Sequence, residues 1–348
     1  MKKHSKFTDV NQFRNVIRDI KHAAQFVGMD ENNDPIMNRE AKMPTVSFHG
    51  TVKLHGTCSG VAQDCNENIW YLGRNHNVTV EKDNAGFAFF AEANRPILRD
   101  MLVDIRKKKE LCNDETVIIY GEWCGGNIQK GVAINGLDKM FVIFAVKIAS
   151  SDNENNYYLH REDWAEYKCP EARIYNINDY KSFDINIDFS NPAEAQNKLV
   201  EITEEVEKEC PVGKAFGHSG IGEGVVYEAW WNDTRYIFKV KGEKHSSSKV
   251  KKTARVNTEK LNSIKEFVDY AVTENRLEQG IEQVFTTKSE EISRKGTGDF
   301  LRWITNDVAK EEMDTMVNNG LEPKDVNGKI SDKARNWFFA KLDAKVGL

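Results

Sequence analysis

Cysteine is scarce and poorly placed: the 348 residues hold six, at 58, 65, 112, 124, 169 and 210, with no CxxC pair and no accompanying histidine cluster. That scatter argues against a zinc site or a disulfide framework and predicts free thiols in a reducing compartment. Long apolar runs are also missing, and none approaches the ~18–20 residues of a membrane-spanning helix. The opening MKKHSKFTDVNQF turns polar at once, without the apolar centre of a secretory signal. A cytoplasmic chain with no membrane partner is the expectation. Positive charge is not in excess either, since 49 Lys and Arg against 54 Asp and Glu leave a formal net charge of -5. No internal repeat or low-complexity tract is visible. A hydrophobic content of 40% and a charged content of 30% are those of an ordinary globular protein. The length allows two domains and a sizeable core.

The distribution of charge says more than its sum. From Arg235 to Lys265 the chain carries ten basic residues (Arg235, Lys239, Lys241, Lys244, Lys249, Lys251, Lys252, Arg255, Lys260 and Lys265) against Glu243 and Glu259. Such a block is either a local polyanion site or a solvated linker.

Apolar spacing predicts a helix over about 9–26, through Val10, Phe13, Val16, Ile17, Ile20 and Ala24, then a turn at MDENNDP. From Thr45 to Val146 the chain is strand-rich, interrupted by a helix around 96–109. The polar, aromatic segment 151–190 is expected to be a surface elaboration with short strands. A helix over 192–209, stopped by Cys210-Pro211, precedes two more strands, GEGVVYEAWW and TRYIFKVKG. Beyond a linker-like SSSKVKKT the pattern is helical, with apolar stripes through Leu261–Ala271, Phe300–Met316 and Ala334–Leu342. The expected organisation is a domain over 1–245 and a helical one over 246–348.

Candidate chemistry is strung along the first of these. VSFHGTVKLHGTCSG (46–60) alternates like a strand yet carries Lys53 with His55, Gly56 and Thr57 close behind. GRN (73–75) puts Arg74 just after a strand. YGEWCGG (120–126) puts Glu122 at a strand end beside glycines that admit a ligand to the backbone. MFVIFAVK (140–147) offers aromatics, and GEGVVYE (222–228) sets Glu223 immediately before a strand. FKVKG (238–242) places Lys239 and Lys241 on one strand face. Lysines, an arginine, two carboxylates and flat apolar side chains suit a nucleotide attacked at its α-phosphate. An amine attacks only after losing its proton, which burial beside cations favours. The same cations would offset charge on the pentavalent phosphorus. Read singly, each residue is more simply surface or core: a strand-end lysine, solvated carboxylates, a core Phe144, a turn histidine. The cysteines, Cys58 and Cys124 included, read as bystanders.

The ordered set KLHGT, GRN, YGEW, FVIFAV, GEGVV and KVK resembles motifs I, Ia, III, IIIa, IV and V of the covalent nucleotidyltransferases, the DNA ligases, RNA ligases and mRNA capping enzymes. Lys-x-His-Gly-Thr, in place of the commoner Lys-x-Asp-Gly, is similar to the T4 RNA ligase 2 branch. The resemblance covers roughly 45–242. It implies an α+β, antiparallel-sheet nucleotidyltransferase (ATP-grasp-like ligase) domain with a small all-α C-terminal domain. It also implies an ATP-dependent RNA ligase using Mg2+ or Mn2+, acting as a monomer on RNA with 5'-phosphate and 3'-hydroxyl ends, chiefly nicks in duplexes. Lys53 would carry AMP, with Lys239 and Lys241 on the α-phosphate, His55 assisting, and Glu223 on the metal. Glu122 would hold the ribose and Arg74 a ribose or the nick. Phe144 and Val226 would sandwich adenine, with Leu54 also at the nucleotide. Four positions depart from the pattern: Val52 and Glu228 where an acid and a lysine are usual, Ala145 for an aspartate, and Tyr236, next to Arg235, for an arginine. A DNA ligase or capping guanylyltransferase is the alternative within the superfamily, and an idle RNA-binding module the alternative outside catalysis. Transfer of AMP or GMP separates the first pair, and the intact Lys53, Glu223 and Lys239/Lys241 set weighs against the last.

Overall fold

A computed structural model describes residues 4–111, 114–150, 156–245, 264–285 and 291–346. Cys112, the SSSKVKKT segment, Leu261 and half of the basic block lie outside the described residues. The chain forms two compact units, Met1–Val240 and Lys241–Leu348.

The first unit is built on two mainly antiparallel sheets. One runs, in spatial order, β1 (Asn11–Gln12), β14 (Thr234–Lys241), β13 (Gly224–Trp231), β4 (Thr45–Lys53) and β12 (Ser182–Asp188). The other runs β10 (Tyr157–Tyr158), β9 (Met140–Ala149), β8 (Thr116–Cys124), β5 (Gly56–Gln63), β6 (Ile69–Leu72) and β7 (Asn77–Val78), with β11 (Ile174–Asn176) also on β9. A separate pair joins β2 (Phe26–Met29) to β3 (Pro35–Met37).

Period-two patterning explains the faces. In β4, Val46, Phe48 and Val52 are buried while Ser47, Thr51 and Lys53 turn to the other side. Phe48 meets Phe238 at 5.2 Å between ring centres, and Tyr227 stacks on Phe238 at 5.0 Å. This face packs α1 (Phe13–Gln25), through Val16 and Ile20, and α4 (Ala193–Lys208), through Leu199, Ile202 and Val206. Strands β8 and β9 are almost continuously buried because both of their faces are covered. The main core lies on one side, and a small cluster with Tyr120, Ala145 and Phe144 lies on the other.

Three expectations are corrected. The first helix starts at Phe13 rather than near residue 9, because Asn11 and Gln12 pair with Phe238 and Lys239. The segment 151–190 is not only a surface elaboration. Its SFDINID stretch is β12, a seven-residue partner of β4, with Phe183, Ile185 and Ile187 turned inward. Pro211 does not merely stop a helix; it opens the short α5 (Pro211–Ala215). A helix α2 (Phe87–Ala93) also precedes the expected one, α3 (Arg95–Lys108).

The second unit is helical: α6 (Ile264–Ala271), α7 (Glu274–Val284), α8 (Thr297–Asn318) and α9 (Pro323–Val346). Phe267, Leu277, Phe300, Ile304, Ile330 and Phe338 are among its buried side chains. Arg276, fully buried, donates to Asp307 at 2.8 Å and to the Ala271 carbonyl, and lies 3.5 Å from buried Glu312. Its charge is thereby paired inside the helix packing.

Candidate active site

The chain changes sheets immediately after Lys53. Strand β4 ends there, Leu54 and His55 make the crossing, and β5 begins at Gly56 in the other sheet. Leu54 anchors the crossing with a buried side chain, while its carbonyl lies 3.4 Å from Lys53 Nζ. The glycine is a steric requirement. A Cβ on Gly56 would sit 2.3 Å from the Trp123 carbonyl oxygen of β8.

Lys53 Nζ donates to Glu223 Oε2 at 2.7 Å. His55 Nδ1 lies 3.1 Å from the same oxygen, within reach of a second hydrogen bond. The Glu223 side chain is 1% exposed and that of Lys53 22%, so a buried carboxylate holds an amine that stays accessible. Glu223 is set by the loop before it. Gly220 and Ile221 carbonyls accept from Cys210 and Ala133 N–H, both at 2.8 Å, and Gly222 N–H donates to Val206 O at 3.0 Å. Gly224, opposite Lys53 in the β13–β4 register, has φ of 152°, a backbone region open essentially to glycine.

Glu122, on β8, accepts from Gly56 N–H at 2.9 Å and stands opposite Cys58. Desolvation pushes its carboxyl up to about 7; Lys53 and His55 oppose the shift and the Glu223 charge adds to it. The Cys58 thiol, pushed up to about 12 by burial and then by Glu122, stays protonated and is no nucleophile at neutral pH. It also feels the positive charges of Arg74 and Lys53. Arg74 itself is exposed on the turn between β6 and β7.

Phe144 sits at a β-bulge. Tyr120 pairs with Ala145 and Gly121 with Ile143, leaving Phe144 as the extra residue of β9. It is only partly buried, on the side of Tyr120 and Cys58. On the five-stranded sheet, Val226 faces Thr51 two pairs along from Gly224 and Lys53, so it shares the Lys53 face. Phe238 points into the core against Phe48. Alternation therefore turns Lys239, and by parity Lys241 at the end of β14, to the opposite face, that of Lys53.

The structure thus brings Lys53, His55, Glu223 and Glu122 together and aligns Val226 and Lys239 with Lys53. One departure from the family pattern, Glu228, finds its partner in the arginine next to another, Tyr236. Glu228 accepts from Arg235 Nη2 at 2.6 Å, across the hairpin whose turn residues Asn232 and Asp233 both have positive φ, 47° and 55°. Sequence reasoning missed the N-terminal residues altogether, although Ser5 and Phe7 touch Tyr120 and Phe7 touches Phe144. Their polar composition gave no motif to follow.

Two antiparallel sheets, with the chain crossing between them directly after a carboxylate-bound lysine, form the domain of the covalent nucleotidyltransferases. Within that class the chain belongs to the RNA ligase family, whose family model matches residues 46–241. Curated proteins give no match. Among solved structures, the chain is similar to Naegleria gruberi RNA ligase. A variant with AMP and Mn has 17% identity and a TM-score of 0.41, over 69% of this chain and 56% of that one. The ligase with PPi gives 18%, 0.41, 68% and 56%. A variant with ATP and Mn gives 16%, 0.43, 70% and 57%. The chain therefore spans little more than half the length of these structures.

Proposed function

We propose that this chain is an ATP-dependent RNA ligase of the T4 RNA ligase 2 type. It would join 3'-hydroxyl and 5'-phosphate RNA ends, foremost at nicks in duplexes, through AMP carried on Lys53. The observation that carries the reading is the accessible Lys53 amine, 2.7 Å from the buried Glu223 carboxylate, in a chain whose family ligates RNA.

In the first step Lys53 Nζ forms a bond to the α-phosphorus of ATP and the bond to pyrophosphate breaks. The amine must give up a proton, and the Glu223 oxygen it already contacts lies in line to receive or relay it. Lys239 and Lys241 would offset charge on the phosphate oxygens. Glu122, ionised above pH about 7, would accept from ribose hydroxyls, Arg74 would reach a ribose or the nick, and Phe144 and Val226 would flank the base. A 5'-phosphate oxygen then attacks the AMP phosphorus, breaking the P–N bond and restoring the amine. A 3'-hydroxyl finally attacks that 5'-phosphate, loses its proton, and AMP leaves.

A divalent cation fits the donor set. Among the described residues no group of three or more His, Cys, Asp and Glu side chains is placed to hold a metal ion by itself. Glu223 can offer one hard carboxylate, and Mg2+ or Mn2+ held that way shares phosphate and water oxygens. When bound it would supply Lewis acidity at the phosphate. The helical unit and the basic residues of 239–260 would hold the RNA backbone.

The test is incubation with α-labelled ATP and Mg2+ or Mn2+. A covalent adduct on the wild type that is lost in Lys53→Ala is expected, and no adduct on the wild type would sink the reading. Label from GTP in place of ATP would convert it to a capping guanylyltransferase.

A further inference from the structure

Residues His4 to Thr8 lie across the Tyr120 and Phe144 side of the seven-stranded sheet and are fastened there at four places. His4 Nε2 is 3.0 Å from the carbonyl of Gly73, the residue before Arg74. Tyr120 Oη donates to Ser5 O at 2.9 Å, and Lys147 Nζ to Ser5 Oγ at 3.2 Å. Thr8 N–H donates to Tyr158 Oη at 3.0 Å.

Between these fastenings Phe7 enters a ring cluster. It is edge-on to Tyr120 at 5.2 Å, to Phe144 at 5.0 Å and to Tyr158 at 5.5 Å. Arg235 closes the cluster, its guanidinium 5.5 Å from the Phe7 ring centre and 4.2 Å from that of Tyr158. Glu228 holds Arg235 in turn, and the arginine side chain is only 9% exposed.

We propose that Phe7 is a positioning residue for nucleotide binding, fixing the Phe144 ring in the orientation that stacks on a purine base. The proposal rests on the reading of Phe144 as the base-stacking side chain. Phe144 stands at a bulge and is only partly buried, so the ladder does little to fix its ring. The 74° contact with Phe7 is the T-shaped arrangement aromatic quadrupoles favour, and it covers at most one of the two flat sides of Phe144. A ring held before the base arrives loses less freedom on binding. The base lies away from the reacting phosphorus, so the benefit falls on binding and not on the chemical step.

The experiment measures Lys53 adenylation against ATP concentration in the wild type and in Phe7→Ala, Phe7→Leu and Phe7→Tyr. Loss of one aromatic pair predicts a half-saturating ATP concentration raised about three- to tenfold in the Ala and Leu variants. Their maximal rates should stay within about twofold of wild type, and Phe7→Tyr should restore tight binding. Phe7→Leu keeps apolar volume without a ring, so it carries the test alone if Phe7→Ala does not fold. A Leu variant with wild-type half-saturation, or one whose loss falls on the maximal rate, overturns the proposal. Absence of an adduct on the wild type overturns the ligase reading with it, so the two failures are told apart.

Discussion

At the residue scale, one oxygen of Glu223 serves both Lys53 and His55, which gives the lysine a structural part beside the chemical one proposed for it. Truncating it to alanine strands a buried carboxylate, at a cost of about 3 kcal/mol. Lys53→Arg should therefore lose the adenylate as fully as Lys53→Ala while keeping more of the thermal stability, because a guanidinium retains the charge but is never deprotonated. Adduct formation read beside a melting curve checks this. Glu122 sets a second expectation. Its carboxyl is raised to about 7 in the fold from an unfolded value near 4.3, so the native state holds a proton the unfolded chain has lost. That contribution is fully present below pH about 4.3 and disappears as pH rises through about 7. Glu122→Gln should flatten the fall, seen as a smaller loss of denaturation midpoint between pH 5 and 8. The lysine, histidine and carboxylates were legible because family order marks them. The Glu228–Arg235 pair was not, because against that order Glu228 looks like a lone departure and Arg235 like a neighbour of another. Only the hairpin shows that they meet.

At the element scale, strands with clear alternation or long apolar runs could be read directly, and so could helices with one apolar stripe. SFDINID also alternates, but its polar surroundings hid its membership of the Lys53 sheet. Helix α7 escaped because Arg276, at a core position, breaks the apolar pattern that would announce it. The crossing from β4 to β5 gives a sharp prediction. Gly56→Ala forces its Cβ onto the Trp123 carbonyl and against Cys124 of β8, where strand backbone leaves little room to yield. A loss of about 2–3 kcal/mol in a chemical denaturation curve is expected, with adenylation falling because Lys53 and Glu122 are joined through this turn. An unchanged midpoint would mean the two strands can part without harm.

At the scale of the whole molecule, each unit has its own buried core. A chain ending at 245 should still take AMP from ATP on Lys53 while sealing RNA poorly, which adenylation and nick-sealing assays on one preparation would separate. Equal loss of both activities would contradict the division of labour. The order of strands in the five-stranded sheet has a further consequence, for synthesis. Strand β4 lies between β12 and β13, and β1 waits for β14. A ribosome adding ~5–20 residues per second needs about 10–40 s to travel from Lys53 to Lys241. Until Asp188 is added β4 has neither neighbour complete, and until Trp231 it lacks a complete β13. Nascent chains arrested before residue 224 should therefore be protease-sensitive at β4, and those extended past 241 protected.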